Sequence, residues 1–276
     1  MAVAPWFCMA QLQDKPPTAF DKTLDSSLYL QHQNKTDAAL KTLNRAKKIA
    51  EQNEDLKALL DCYLRFAMLH IELGDTESVL FYKDRADVLL GDITYPHGEA
   101  FKKYIEAVLL YQEANNYQAL RMLEEAKILS NDRNLNNHIL MAEAIVFTNI
   151  EKFDDAKKNL NALLVNADNK ERAFLAARSN LLLAEINYGQ DNIDNAVKYA
   201  KAALDLAVKN GFNKEMLKAN ELLTKYYEEQ GDFGASLGHH KSLLALKDSL
   251  FNIEKVAIES KTADELRFDH MNSEIG

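Results

Sequence analysis

The side chains best suited to chemistry in this 276-residue chain are a histidine pair and two acidic pairs. His239 and His240 are adjacent, so on a helix their side chains point about 100° apart, whereas a chelating pair needs a spacing of three or four residues. Asp154–Asp155 and Glu228–Glu229 fall at a predicted turn and a predicted helix end. No phosphate-binding glycine loop, nucleophile elbow, metalloprotease helix motif or paired CxxC is present. The sequence therefore predicts a protein that is not an enzyme and uses no cofactor and no metal.

His70 and Cys62 lie together in an apolar helical stretch, LLDCYLRFAMLHIEL. We expect Cys62 to be a small buried hydrophobic residue and His70 to be a core histidine with a hydrogen-bond partner. The second cysteine is Cys8. If the first ten residues are removed, Cys62 has no intrachain partner, so the cysteine count does not fix the redox compartment.

Composition narrows both the fold class and the kind of partner. The chain is 47% hydrophobic and has only nine Gly and four Pro, with every Pro in the first 96 residues. So few helix breakers predict a chain that is almost entirely helical. The net charge is −9, with no stripe of Lys and Arg. Because binding to a phosphate backbone needs clustered basic side chains, nucleic acid is not expected as a partner.

The first ten residues, MAVAPWFCMA, are apolar, and Ala10 with Cys8 two residues earlier resembles a small-residue signal-peptidase site. They lack a basic segment and are shorter than a typical secretory signal. They are therefore either a signal peptide whose beginning is missing or a short unstructured apolar N-terminus. We favour the signal peptide, because the polar stretch QLQDKPP that follows suits a linker. This places the protein in the periplasm or cell envelope, with the cytoplasm as the alternative.

A turn-like hexapeptide followed by an Ala-rich amphipathic run occurs six times along the chain. The six are NKTDAA (34–39), GDTESV (74–79), NNYQAL (115–120), EKFDDA (151–156), DNIDNA (191–196) and GDFGAS (231–236). Their aligned residues are Ala39, Val79, Ala119, Ala156, Ala196 and Ser236, spaced 40, 40, 37, 40 and 40 residues apart. A fixed period of this size is typical of a solenoid, in which each unit packs only on its neighbours. We expect an all-α chain of about six antiparallel helix pairs.

Small residues are expected where the two helices of a unit cross. Ala184 and Ala196 fall at the closest approach in the fifth unit, where a larger side chain would push the helix axes apart. Pro96 predicts the first turn of a helix, and Gly211 after Asn210 predicts a left-handed helix end.

These features together resemble the tetratricopeptide repeat (TPR). The resemblance rests on the small residue in each first helix, the aromatic residue at the turn (Tyr117, Phe153 and Phe233) and the small residue that opens the second helix. The usual Trp and repeat-end Pro are missing, and the period exceeds the usual value of about 34 residues. The resemblance implies a right-handed superhelical solenoid with a C-terminal helix. The predicted segments are a leader (1–10), a linker (11–17), six TPR-like repeats (18–249) and a C-terminal helix and tail (250–276).

In a TPR superhelix the first helix of each repeat lines a concave face, so the resemblance implies a protein- or peptide-binding groove there. The groove residues it implies are Leu64, Met68, Ile71, Tyr104, Val108, Tyr111, Met141, Ile145, Leu181, Glu185 and Tyr188. Exposed aromatic and Met side chains are typical of peptide-binding surfaces. The alternative is that these side chains are buried between neighbouring helices. The Lys/Asn pattern of carboxylate-clamp TPRs is not found on this face, which argues against a co-chaperone role.

Residues 243–269 resemble the segment that leaves the TPR array in envelope sensor proteins of Bacteroidetes-type bacteria. This implies a sensory or interaction module of a bacterial signalling system, with a membrane signalling partner contacted through the C-terminal helix and no membrane span in the chain itself. Two functions remain open: a non-enzymatic binding scaffold, or the sensor fragment of a histidine kinase or transcriptional regulator whose output domain is not among these residues. A cytoplasmic peptide-pheromone receptor is a third, and it requires that residues 1–10 are not a signal.

Overall fold

The computed structural model describes residues 18–164 and 170–250, where twelve helices pack as antiparallel pairs. The first helices of the six units are α1 (Ala19–His32), α3 (Leu56–Leu73), α5 (Pro96–Gln112), α7 (Arg133–Asn149), α9 (Lys170–Gly189) and α11 (Asn213–Glu229). The second helices are α2 (Thr36–Gln52), α4 (Thr76–Asp92), α6 (Asn116–Leu129), α8 (Phe153–Leu164), α10 (Ile193–Asn210) and α12 (233–250). The predicted all-α, TPR-like solenoid class is confirmed. The predicted leader, linker and residues 251–276 of the tail lie outside the described residues.

Each unit turns from its first to its second helix through one residue in the left-handed region. These residues are Asn34, Gly74, Ala114, Glu151, Asp191 and Gly231. Only two of the six are glycine, so four units hold a side chain in a conformation that costs roughly 1–2 kcal/mol. The same turn therefore recurs because each helix pair requires it, and not because each turn sequence favours it. Gly211 has φ 72° at the end of α10, as the sequence predicted.

The predicted helix crossings are occupied by fully buried small residues. Ala184 and Ala196 are both 0% exposed where α9 meets α10, and Ala144 and Ala156 are equally buried where α7 meets α8. Small side chains there let the paired axes approach to ordinary helix-packing distances. Pro96 occupies the first turn of α5, where its missing N–H costs nothing.

The array also closes on itself, because α1 at its start contacts α9 and the α10–α11 turn near its end. The Gln33 Nε2 and Tyr29 hydroxyl donate to the Asn210 carbonyl at 3.3 and 3.5 Å. In return, Asn213 Nδ2 donates to the Gln33 carbonyl at 3.3 Å. The His32 ring stacks on Phe174 with centroids 3.6 Å apart. We call this set of interactions the end-to-end contact. It bounds one side of a partly open space that lies among the first helices.

Candidate functional site

The first helices of all six units surround an interior space with two adjoining chambers. The larger, called here the central cavity, has a volume of about 230 Å³, and the side chamber has about 50 Å³. The central cavity is lined by Gln31, His32, Met68, Ile71, Glu72, Tyr104, Val108, Tyr111, Gln112, Phe174, Arg178, Lys214 and Glu215. The side chamber shares seven of these and adds Leu28, Arg65, His97, Phe101, Asp132, Leu135 and His138. The two chambers together are therefore assembled from residues up to 187 positions apart, between Leu28 and Glu215.

Aromatic side chains form much of the lining of the side chamber, and one of them, Tyr104, lines both chambers. Phe101 and Tyr104 lie with ring centroids 6.1 Å apart, and Tyr104 and His138 with centroids 6.2 Å apart. The Arg65 guanidinium carbon lies 5.1 Å from the centre of the Phe101 ring. Burial raises the pKa of the Tyr104 hydroxyl, so this group stays neutral and can donate a hydrogen bond. The wall offers apolar contact with a few polar groups, as ligand sites in proteins commonly do.

His32 places an ionisable ring at the boundary between α1 and the cavity. It is 5% exposed, stacks on Phe174 and meets Phe212 edge-on at 6.3 Å. Burial is the largest cause that lowers its pKa well below the ordinary value, and the nearby His138 and Arg178 lower it further. His32 is therefore neutral near pH 7, and its protonation would bring a positive charge into this packing.

Four charged side chains line the central cavity, and only two of them pair with each other. Lys214 Nζ lies 3.8 Å from Glu72 Oε2. Among the described residues, no carboxylate oxygen lies within 4.0 Å of the Arg178 guanidinium, which faces the Phe174 ring at 5.6 Å. Glu215 is 7% exposed, and its Oε2 finds no hydrogen-bond partner in the described part of the chain. One cation and one acidic group thus line the same cavity, and in the described part of the chain neither has an oppositely charged partner within 4.0 Å.

The environment of these two groups perturbs the carboxyl group more than the guanidinium. Burial raises the pKa of Glu215 from 4.5 to about 7, although the positive charge of Arg178 acts in the opposite direction. The guanidinium keeps its charge, because the surrounding Tyr111, Glu215 and Glu72 raise its pKa despite burial. Near neutral pH the cavity therefore holds a permanent cation and a carboxyl group poised between its two protonation states.

Five of the eleven groove residues implied by the resemblance line the central cavity. They are Met68, Ile71, Tyr104, Val108 and Tyr111. These five come from α3 and α5 alone, so the predicted groove and the cavity coincide on the second and third units. A binding role for them stays a prediction.

The other six predicted groove residues lie away from the cavity. Leu64 is 0% exposed in the core between α3 and its neighbours. Met141 and Ile145 pack in the core of α7–α9, and Leu181 packs between α9 and α11. Glu185 pairs with Lys218 at 2.8 Å, and the Tyr188 ring stacks on Tyr226 at 4.7 Å. At these positions the first helices of neighbouring units pack directly on each other.

Sequence reasoning missed Arg178 and Glu215, the two unpaired charges. Arg178 lies three residues before the predicted Leu181, so it continues the same helix face by one turn. Arg178 is the only charged residue in the apolar run AFLAARSNLLLA, and this position in an otherwise apolar stretch could have marked it as a site residue. Glu215, in the first turn of α11, resembles an ordinary helix-start carboxylate and carried no signal of its own.

Two of the histidines first considered for chemistry have hydrogen-bond partners, and Cys62 is buried. His70 Nδ1 lies 3.0 Å from Asp75 Oδ2, and His239 Nδ1 lies 3.0 Å from Asn220 Oδ1. Cys62 is 0% exposed, and burial raises its thiol pKa to about 12. Within residues 18–164 and 170–250, no group of three or more His, Cys, Asp or Glu side chains is placed to hold a metal ion. Every helix in the same part of the chain is too short or too polar to span a bilayer.

No protein-family model matches this sequence, and no curated protein matches it. Solved structures with a similar fold include BtubC (BKLC) from P. vanneervenii, with a TM-score of 0.56 and 16% identity over 84% of this chain and 92% of that one. PilW, a widely conserved type IV pilus biogenesis factor, gives a TM-score of 0.51 and 14% identity over 83% of this chain and 94% of that one. A Rap protein complexed with Competence and Sporulation Factor gives 0.46 and 13% identity over 84% of this chain and 77% of that one. At these identities the likeness shows the fold alone.

Proposed function

We propose that this protein is a non-enzymatic binding scaffold that takes a peptide, or a peptide segment of a protein, into the central cavity. The observation that carries this proposal is the convergence of five first helices, α1, α3, α5, α9 and α11, on one cavity with an aromatic and charged lining, while α7 lines the adjoining side chamber. Buried aromatic side chains supply much of the binding energy at recognition sites, and a few placed polar groups supply specificity. In the central cavity the aromatic side chains are Tyr104, Tyr111 and Phe174, and the polar groups are Arg178 and Glu215.

We further propose that the scaffold serves as a sensory or interaction module of a bacterial signalling system. Support comes from the likeness of residues 243–269 to the segment that follows the TPR array in envelope sensors, and from the signal-like residues 1–10. Mass spectrometry of the native N-terminus tests the location. Cleavage after Ala10 would support the envelope, and an intact Met1 would rule that cleavage out and favour a cytoplasmic receptor.

A second candidate function, the sensor fragment of a kinase or regulator, is favoured by the surface of α12. Phe233, Leu237 and Leu244 are exposed by 69%, 52% and 48%, at intervals of four and seven residues. This spacing is typical of a helix that pairs with another in a coiled coil, as a signal-relay helix would. Light scattering should then show self-association that Leu237→Ser with Leu244→Ser abolishes. A strictly monomeric full chain would argue against this candidate.

Selection of peptides from a displayed library tests the scaffold function. Peptides enriched on the full chain are synthesised with a fluorophore, and their affinity is measured by polarisation. Tyr104→Ala with Tyr111→Ala should weaken binding at least tenfold, since two aromatic contacts in the cavity are lost. The matched control is Tyr117→Ala with Phe81→Ala, which removes two aromatic residues that are 74% and 51% exposed outside the cavity.

Because Tyr104 is buried, circular dichroism must show that the cavity variant is folded. Gln112→Trp is the second variant. It adds bulk to the cavity wall from an exposed position and removes nothing from the core. If both cavity variants bind the selected peptides as well as the control does, the central cavity is not the peptide site.

A further inference from the structure

The charged side chains that line the central cavity do not balance pair by pair. Lys214 and Glu72 form an ion pair, with Lys214 Nζ 3.8 Å from Glu72 Oε2. Arg178 and Glu215 remain, each without a hydrogen-bonded partner of opposite charge among the residues described here. Burying a charged group without a partner is costly, so a half-buried Arg178 and a buried Glu215 in one cavity are an arrangement that a ligand can stabilise.

The signs of these two groups restrict the ligand. An anion alone would pair with Arg178 but would add to the negative charge beside Glu215. A cation alone would pair with Glu215 but would face the guanidinium. A ligand with a carboxylate at one end and an ammonium at the other satisfies both groups, and charge-assisted hydrogen bonds of this kind are about twice as strong as neutral ones.

The wall and the volume restrict the ligand further. Phe174 and Tyr104 line the cavity with the two charged groups, so the part of the ligand between its charges should be apolar or aromatic. The cavity volume of about 230 Å³ lies below the range of about 300–1,000 Å³ that is typical of sites for drug-sized molecules. It suits one or a few amino-acid residues and not a helix or a long extended segment.

We propose that the central cavity binds a free amino acid or very short peptide with both termini unblocked, its carboxylate on Arg178 and its ammonium on Glu215. This inference rests on the proposed function, because it names the ligand class of the same cavity. It distinguishes a free zwitterionic ligand from an internal segment of a larger protein, which carries neither terminal charge.

Terminal blocking of the ligand tests this without changing the protein. Dipeptides pairing Phe, Leu and Tyr are measured against the full chain by calorimetry in three forms: both ends free, N-acetylated, and C-amidated. Free phenylalanine and leucine are measured beside them. We expect a free dipeptide or amino acid to bind, and each blocked end to weaken binding about 10- to 100-fold, the range expected for one hydrogen bond to a charged group.

Two variants assign each end of the ligand to its residue. In Arg178→Gln, C-amidation should no longer weaken binding, while N-acetylation still should. In Glu215→Gln the pattern should reverse. This crossed result depends on relative affinities within one folded variant, so an equal loss of stability in both variants cannot produce it. Lys225→Gln, on α11 but outside the cavity lining, is the matched control and should leave both blocking effects unchanged.

Two outcomes would overturn this proposal. If selected peptides bind the cavity and blocked dipeptides bind as tightly as free ones, the ligand class is wrong while the scaffold function stands. If no free or blocked dipeptide and no amino acid binds, but longer selected peptides lose affinity in the Gln112→Trp variant, the same conclusion follows. Failure of the selected peptides as well would remove the proposed function itself.

Discussion

Glu215 should make the folded protein less stable as the pH rises from about 4.5 to about 7. Burial raises the pKa of this carboxyl group to about 7 in the folded chain, against an ordinary value of 4.5. The folded state therefore holds the proton more tightly than the unfolded chain does. Between these two pH values the unfolded chain gains free energy by releasing the proton while the folded chain keeps it, so the free energy of unfolding falls.

The size of the effect follows from the difference between the two pKa values. At about 1.4 kcal/mol for each pKa unit, the loss is about 3 kcal/mol once the pH exceeds 7. Arg178 opposes it, since its positive charge favours the carboxylate, whereas Glu72 adds to it. Glu215→Gln removes the titrating proton at nearly constant shape and should abolish this loss.

Urea denaturation followed by circular dichroism at several pH values between 4.5 and 8 measures the effect. Across this pH range, the free energy of unfolding of Glu215→Gln should rise by about 3 kcal/mol relative to that of the wild type. Asp61→Asn is a matched control, because burial also raises the pKa of Asp61 to about 7 at a separate site beside Tyr95. It should remove only its own share of the pH dependence. Parallel pH curves for the wild type and Glu215→Gln would refute the reasoning.

Three further perturbations test the packing. Ala196→Leu should lower the free energy of unfolding in urea by about 1–3 kcal/mol, because it overpacks a crossing that is 0% exposed; an unchanged value would contradict the crossing geometry. Gly98→Ala should cost a similar amount, since its new Cβ would collide with Leu60, whereas Gly91→Ala meets open space in α4 and should be neutral or stabilise by up to ~1 kcal/mol. As the pH falls below 6.5, His32 should weaken the docking of α1, because its pKa is lowered in the folded chain. The protection of α1 amides against hydrogen exchange, relative to an unfolded chain at the same pH, should fall at acid pH in the wild type and not in His32→Phe. An equal change in protection in both proteins would exclude this role.

The repeat architecture was predictable because its signals are local. Ala184 and Ala196 mark a helix crossing within about a dozen residues, and six such crossings in register define the stack. The left-handed turn at Ala114 had no such signal. Alanine rarely adopts that conformation by itself, and the packing of α5 on α6 imposes it.

The candidate site was only half predictable, because it depends on how the stack curves. Tyr104 and Leu64 occupy corresponding positions in successive first helices, yet one lines the cavity and the other lies in the core. Curvature accumulates from a small rotation at each repeat, and no single sequence window records it. The approach of α1 to α9, and with it the place of Gln31 and His32 in the lining of the central cavity, follows from that sum.

The end-to-end contact also changes how the array should lose its structure. In an open solenoid, stability is a sum of nearest-neighbour terms, and the terminal repeats fray first because each has one neighbour. Hydrogen bonds between residues 177–181 positions apart give the first unit a second neighbour here. A linear series of couplings thereby becomes a circular one, with no free end at the first unit from which unfolding can begin. Cutting the contact should therefore lower the cooperativity of unfolding across all the units and not only within α1.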